Sequence, residues 1–310
     1  MGNTTNQEIF LSIIVPVYNS AKFIRATLTS LVKLIGNRMD IEIIVQDACS
    51  TDATNYIVTG FVTEYKFIHH FIEKDNGQSD GINKAALKAK GLWITWLCAD
   101  DLLLYSFSEC IGALHYTEVD VIYADCVMLM GNGAITPAIG TETYTKGALA
   151  KKRMILQQPG TCIRKALWDV VGGVDERLNW TMDYDLFLRL ELKKARFKRI
   201  EGFVAVARIH ADAKTSSGSK KRLFEHWRIL FNAHIRDIAN FSIKPYMLYI
   251  IEYIIKRRES QLKLKGISKL HKIFWLLGCP TEKEQIVARF QDKRQDIQAE
   301  IELLDKSLIL

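Results

Sequence analysis

The sequence predicts an α/β protein built on a doubly wound, Rossmann-like sheet with a helical C-terminal extension. Two observations carry this. Four short apolar runs rich in β-branched residues each end in a polar or acidic turn, and each of the first three turns leads into a segment with helical spacing of apolar residues. From about Lys220 the character changes to helical, basic and aromatic. In a parallel sheet the four turns fall on one edge, the edge where ligands bind.

The first run, Leu11 to Val15 (L-S-I-I-V), is continuous and apolar, as in a strand covered on both faces, and stops at Pro16 before V-Y-N. Asn19 or Ser20 then caps a helix whose apolar positions are Ile24, Leu28, Leu31 and Val32. The second, Ile41 to Gln46, ends at Asp47 in D-A-C-S-T-D, where Ser50 to Asp52 cap the next helix. The third, Phe67 to Ile72, ends in E-K-D-N-G-Q-S-D-G. Ser79 or Asp80 caps a helix running through Lys90, and Gly91 terminates it.

The fourth run is Trp93 to Leu97, within W-I-T-W-L-C-A-D-D, and it ends in two adjacent carboxylates, Asp100 and Asp101. Desolvating even one carboxylate is expensive unless it is paired or bound to a cation. Carboxylate oxygens suit hard cations such as Mg²⁺ or Mn²⁺, which in turn hold phosphate oxygens. The alternative is an ordinary turn in which Asp101 caps the following helix.

Composition places the rest. The 310 residues are 48% hydrophobic and 25% charged with only 5 prolines, the make-up of a folded chain. The formal net charge of +7 favours anionic partners. Six cysteines without a C-x-x-C pair argue against a zinc site or a disulfide framework. Met1 to Glu8 is polar, and no apolar run reaches the roughly 18 residues of a membrane-spanning helix; Tyr246 to Ile255, interrupted by Glu252, comes nearest. The expectation is a cytoplasmic protein.

The ordered set P-V-Y-N (Pro16–Asn19), D-A-C-S-T-D (Asp47–Asp52), E-K-D-N-G-Q-S-D-G-I-N-K (Glu73–Lys84), L-C-A-D-D (Leu97–Asp101), Q-P-G-T-C-I-R-K (Gln158–Lys165), G-G-V-D-E-R-L (Gly172–Leu178), M-D-Y-D-L (Met182–Leu186) and R-I-H-A-D-A-K-T (Arg208–Thr215) resembles glycosyltransferase family 2. These are inverting, A-fold enzymes of bacterial surface-polysaccharide assembly, and the likeness spans about residues 10–216. It implies that Pro16, Tyr18, Asn19 and Asp47 hold the nucleotide base and ribose, with Asp75 as a second binder. Here Ala48 and Cys49 depart from the usual turn after the aspartate. Lys84 is a candidate phosphate contact, with a solvated helix lysine as the alternative. The family's Asp-x-Asp metal motif falls on Cys98 and Asp100, so the resemblance implies Asp100 as ligand for Mn²⁺ or Mg²⁺, with Asp101 in support. The thiol of Cys98 is too soft for such a cation. His210 resembles a further metal ligand from a late strand-loop. Arg208, Lys214 and the T-S-S-G-S segment suit a lid over a diphosphate. Asp183 resembles the general base that takes the acceptor hydroxyl's proton. Asp185 serves capping or packing, and the alternative is that both aspartates cap a helix Leu186–Lys194. Gln158, Arg164 and Trp180 are candidates on the acceptor side or, equally, structural residues.

The expected division is a nucleotide-sugar-binding catalytic domain, residues 1–219, and a helical region, residues 220–310. In the latter, basic and aromatic residues occur together over Lys220–Phe231, Tyr246–Arg258 and Lys263–Gly278, with Trp and Phe interleaved in the first and last of these. This pattern fits peripheral contact with an anionic membrane at the inner face of the bacterial plasma membrane and a lipid-linked acceptor; a helical cap on the sheet is the alternative. In the tail, Ile286, Phe290, Ile297, Ile301, Leu304 and Leu308 could pair with a second copy. The function expected is metal-dependent transfer of one sugar from a nucleotide-diphosphate-sugar, UDP-linked, to a lipid-linked or oligosaccharide acceptor. The Q-x-x-R-W motif of processive synthases is absent. Competing classes are a catalytically altered sugar-nucleotide binder, given Cys98, and a sugar-nucleotidyltransferase, disfavoured by a first turn without glycine. A nucleic-acid binder is disfavoured because no such motif appears.

Overall fold

The computed structural model of the chain describes residues 8–138, 141–150, 155–211, 213–214, 220–236 and 282–305. The runs Tyr246–Ile255 and Lys263–Gly278, the 215–219 segment, Cys279 and Leu308 lie outside the described residues. In order, the elements are β1 (Leu11–Val17), α1 (Ile24–Ile35), β2 (Ile41–Asp47), α2 (Thr54–Glu64), β3 (Ile68–Ile72), α3 (Gln78–Lys88), β4 (Trp93–Trp96), β5 (Leu102–Leu103) and α4 (Phe107–Ala113). There follow β6 (Val121–Met130), β7 (Ile135–Pro137), a 3₁₀ turn (Gln158–Gly160), β8 (Thr161–Arg164), α5 (Lys165–Val171), α6 (Met182–Leu192), β9 (Phe197–Ile209), α7 (Lys220–Arg236) and α8 (Lys283–Leu304).

The strands form one sheet in the order β3-β2-β1-β4-β8-β6-β9-β5, with β7 pairing β6. The four expected strands are parallel neighbours in the order 3-2-1-4. β1 and β2 are buried along their whole lengths, as continuous apolar runs require. Alternation sorts their side chains. Ile13, Val15, Ile43 and Val45 face Ile24, Leu28 and Leu31 of α1. Ile14, Ile44, Ile94 and Trp96 face Ile82 and Ala85 of α3 and the α6 side, with Leu186 and Phe187.

Direction within the sheet decides which residues can share an edge. β8 runs antiparallel to β4, with Trp93 opposite Arg164, and β6 is antiparallel to β8, so β6 runs with β4. β9 is parallel to β6. The C-terminal ends of β1–β4 and of β9 therefore lie on one edge, together with the start of β8. Arg164 lies at the opposite edge.

Several local expectations are corrected. β1 does not stop at Pro16 but continues to Val17, pairing Pro16 with Gln46. The missing N–H is tolerated because pairing with β4 ends at Ile14. Asn19 and Ser20 do not cap α1, whose cap position is Phe23; they tie the first turn to the second. Asn19 N donates to Ser50 Oγ at 2.9 Å, and its own Oδ1 accepts from Thr51 N at 2.8 Å. Gly91 lies past the end of α3, and a Cβ there would sit 2.5 Å from Ser12 N, so its role is close approach to β1. The helix expected at Leu186–Lys194 starts four residues earlier, at Met182.

The tail is built into the sheet rather than held out for a second copy. Ile286, Phe290, Ile297, Ile301 and Leu304 are buried against Leu102, Leu104, Leu129, Phe203 and Val206. Buried Asp125 on β6 accepts from Arg199 at 2.7 Å and from Arg289 of α8 at 3.1 Å, and Arg199 also pairs with Glu282. Among the described residues no helix is long and apolar enough to cross a membrane.

Gly91→Ala forces a methyl group against the β1 backbone and should cost about 1–3 kcal/mol of stability. Urea unfolding should show a lower midpoint at unchanged slope; an unchanged midpoint would refute the packing argument.

Candidate functional site

The turn after β4 is held from three sides. Leu97 N donates to Ile14 O at 2.8 Å, carrying β4 alongside β1 up to the turn. From α1, the Thr27 hydroxyl lies 2.8 Å from Ala99 O and 2.9 Å from Asp101 O. From β9, Arg208 N donates to Asp101 Oδ1 at 3.0 Å and Arg208 Nη1 to Asp100 O at 2.9 Å. Asp101 is only 7% exposed. Burial, together with the charge of Asp100 beside it, pushes its pKa well above the carboxylate range despite the Arg208 amide. Asp100 is half-buried, and its Oδ2 lies 2.8 Å from His210 Nε2. The His210 ring is tilted against Phe23, with centroids 4.6 Å apart.

Cys98 Sγ and one oxygen each of Asp100 and Asp101 lie within 4.8 Å of one another. Burial and the two carboxylates push the thiol pKa well up, so Cys98 is a neutral group in the hydrogen-bond chain. Gln78 Nε2 donates to it at 3.4 Å, and Gln158 Oε1 lies 3.7 Å away. Gln158 Nε2 donates to Trp96 O at 2.5 Å, so this residue stands at the same edge. The carboxylate oxygens of Asp100 and Asp101 are of the kind that suits a hard cation such as Mn²⁺ or Mg²⁺, His210 stands beside Asp100, and added positive charge would ease the like-charge repulsion that, after burial, raises Asp101.

The turns after β1, β2 and β3 adjoin this one. Asp47 is fully buried; its Oδ1 accepts from Ser50 N at 2.7 Å, while Oδ2 has no hydrogen-bond partner and faces the equally unpartnered Nε2 of His70 at 3.6 Å. Burial would raise the Asp47 pKa, but His70 and Ser50 hold it below the usual range. Asp75 Oδ1 accepts from Gly77 N at 3.0 Å. A Cβ on Gly81 would lie 2.7 Å from Asp75 Oδ2 and 3.9 Å from Pro16 Cβ, so this glycine lets the third turn tuck beneath α3 beside the first. Burial, with the charges of Asp80 and Asp47, raises Asp75. Tyr18 is 60% exposed at the mouth.

Asp183 lies in the first turn of α6, half-buried, its Oδ1 accepting from Tyr184 N at 2.8 Å. Burial pushes its pKa up to about 6, against the Tyr184 amide and the positive charge of Arg222. The approach to α6 is tied to the start of α3. Ser79 Oγ donates to Leu178 O at 2.8 Å, and Lys214 Nζ donates to Gln78 Oε1 at 2.9 Å and to Asn179 O at 3.3 Å. Buried Glu225, on α7, accepts from Asn179 N at 2.9 Å and from Trp180 N and Thr181 Oγ1 at 3.0 Å, so Trp180 sits in this loop. Asp185 pairs with Arg189 at 2.7 Å and Arg189 holds Val171 O and Gly173 O, a packing role.

Three expected site residues are engaged elsewhere. Arg164 donates to Val119 O at 2.7 Å and lies over the Trp93 ring, at the far edge, because β8 runs against β4. Lys84 is taken up by its own turn, donating to Lys74 O at 2.7 Å and to Asp80 at 3.2 Å. Arg208 is buried beneath the carboxylate turn, where Asp305 and Asp100 O occupy its guanidinium. Conversely, Phe23, Thr27, His70 and Glu225 belong to the site but carry no motif. Glu225 stands 42 residues after Asp183, and nothing in its local pattern marks it.

The sequence profile described as glycosyl transferase family 2 matches residues 12–153. An uncharacterized glycosyltransferase of Rickettsia typhi is 25% identical over 238 residues, 74% of this chain and 72% of that one. The poly(ribitol-phosphate) β-N-acetylglucosaminyltransferase TarS of Staphylococcus aureus is 34% identical over 187 residues, 59% of this chain and 30% of TarS. Among solved structures, S. aureus TarS 1–349 in complex with UDP-GlcNAc superposes with a TM-score of 0.61 at 21% identity, covering 96% of this chain and 83% of that one. The mannosyltransferase PcManGT of Pyrobaculum calidifontis, in complex with GDP-Man and Mn²⁺, superposes at 0.55 and 16%, covering 95% and 85%. At these identities the structural likeness establishes a shared fold, that of GT-A glycosyltransferases.

Removing the Glu225 carboxylate leaves two loop amides without their acceptor. Glu225→Ala should lose about 2 kcal/mol of stability, with faster hydrogen exchange at Asn179 and Trp180. Unchanged exchange there would contradict the assignment.

Proposed function

We propose that this chain, whose residues 12–153 match the glycosyl transferase family 2 profile and whose fold is shared with GT-A glycosyltransferases, is a metal-dependent inverting nucleotide-sugar transferase that moves one hexosyl unit per acceptor. The donor is UDP-linked, and the acceptor is a lipid-linked glycan or oligosaccharide of surface polysaccharide (O-antigen, capsule or exopolysaccharide). The observation that carries the reading is Asp183: a half-buried carboxylate with its pKa raised to about 6, on a helix start tied to the edge that bears the carboxylate turn. A group of this pKa is ionised at neutral pH yet remains basic enough to accept a proton.

The acceptor hydroxyl oxygen attacks the anomeric carbon from the face opposite the diphosphate. Asp183 takes the hydroxyl proton as the new C–O bond forms and the bond to the diphosphate oxygen breaks, releasing the nucleoside diphosphate with inversion. Asp47, whose Oδ2 makes no hydrogen bond and lies 3.6 Å from His70 Nε2, is the acceptor assigned to an imide N–H of a base stacked on exposed Tyr18 beside Pro16 and Asn19, and Asp75 suits a ribose hydroxyl. A divalent cation on Asp100, flanked by His210 and supported by Asp101, supplies charge neutralisation at the diphosphate when bound. Gln158, Trp180 and Lys214 stand on the side where sugar and acceptor enter.

TarS bound to UDP-GlcNAc and the mannosyltransferase bound to GDP-Man and Mn²⁺ lend support to donor and cation. Single transfer is favoured by the missing Q-x-x-R-W motif. The basic, aromatic stretches beyond Lys220 favour peripheral contact with the inner face of the plasma membrane.

Asp183→Asn should lower kcat about 10²- to 10⁴-fold while leaving nucleotide binding near normal. Wild-type kcat should fall with decreasing pH below about 6, because the base is then protonated, and the residual activity of the variant should lack that limb. Near-wild-type turnover in the variant would sink the assignment.

A further inference from the structure

The carboxylate turn has a support that no motif announces. Arg208, which donates to Asp100 O and whose amide serves Asp101, is itself buried, and its second terminal nitrogen pairs with buried Asp305, the residue immediately after α8. Its Nε is buried without an acceptor, so the guanidinium is satisfied through those two contacts. The Phe23 ring lies 5.4 Å from the guanidinium and also packs on His210. Two further bonds seat the same end of α8 beside the turn: Glu300 Oε1 accepts from Tyr105 N at 2.6 Å, and Lys33 Nζ donates to Leu303 O at 3.4 Å.

We infer that Asp305 is a positioning residue for the donor site, acting through Arg208 to fix the backbone of Asp100 and the carboxylate of Asp101. The inference rests on the reading of Asp100 as a cation ligand. The physical reason is that an arginine buried beneath two acidic residues can hold the turn only if its own charge is oriented. With Asp305 gone, the guanidinium turns toward the nearest remaining carboxylates, Asp100 and Asp101, and competes with a cation for them. The tail of the chain, 204 residues after the turn, therefore helps determine whether the turn presents its oxygens outward. Coupling of this kind is reciprocal, so filling the donor site must in turn tighten the end of α8.

The test is calorimetric titration of UDP into the full-length protein, with Mn²⁺ and separately with chelator, paired with hydrogen exchange over residues 297–305. Wild type should bind more tightly with Mn²⁺ and show ligand-dependent slowing of exchange at the end of α8. Asp305→Asn should weaken binding in Mn²⁺ at least tenfold, leave binding in chelator unchanged and abolish the slowing. Because it leaves a buried charge unpaired, the double variant Arg208→Met/Asp305→Leu, which restores apolar packing, is examined alongside and should show the same loss at near-wild-type melting temperature. Glu300→Gln, which removes a nearby charge but keeps a side-chain oxygen to accept from the Tyr105 amide, should behave as wild type. Metal-dependent binding in wild type with no change in the folded double variant overturns this inference alone, as does an equal loss in Glu300→Gln. Identical binding by wild type with Mn²⁺ and with chelator overturns the cation reading and this inference together.

Discussion

Two adjacent carboxylates at the end of a buried strand are the constraint around which the site is assembled. Burial, and then the charge of Asp100 beside it, raise the proton affinity of Asp101, a cost that a turn serving only to reverse the chain would not need. Three elements distant in sequence converge to hold it. Thr27 comes from α1, Arg208 from β9, and Asp305 reaches Arg208 from the end of α8. None of them removes the repulsion. They orient it, leaving Asp100 half-buried beside His210 where positive charge is favourable.

Sheet direction explains how the rest comes within reach. Parallel β1–β4 bring four polar turns to one edge, and the parallel pair β6/β9 returns the chain in the same sense, so His210 arrives at that edge rather than the other. The same logic decides Arg164, a candidate for the acceptor side or for a structural role, which an antiparallel strand carries to the far edge and into packing. Position in a motif identifies a residue; strand direction decides whether it can take part.

The first half of the fold was legible because its strands are buried on both faces and so read as unbroken apolar runs. The second half was not. β6 carries Asp125 in its middle, which interrupts the apolar signal, and that charge is tolerated only because Arg199 and Arg289 meet it from elements 74 and 164 residues away. The tail's apolar spacing was visible, but whether it faces another copy or its own sheet depends on a surface formed by β5, β6 and β9, which local pattern does not contain. At the site, residues offering a carboxylate in a recognisable turn could be named in advance. Those that act by supporting a backbone, such as Thr27, Glu225 and Asp305, could not, since one hydroxyl or carboxylate in a helix looks like any other until the fold gives it a partner.

The central claim is that this edge binds a nucleotide-sugar through a cation held at Asp100. Thermal unfolding of the protein with UDP-GlcNAc, in Mn²⁺ or in chelator, tests it most directly. At ligand concentrations about a hundredfold above Kd, binding to the native state adds about 2.7 kcal/mol, and the melting temperature should rise by ~5 °C or more in Mn²⁺. The rise should be much smaller in chelator and in Asp100→Ala. An equal rise in chelator, or an undiminished one in Asp100→Ala, would contradict the claim.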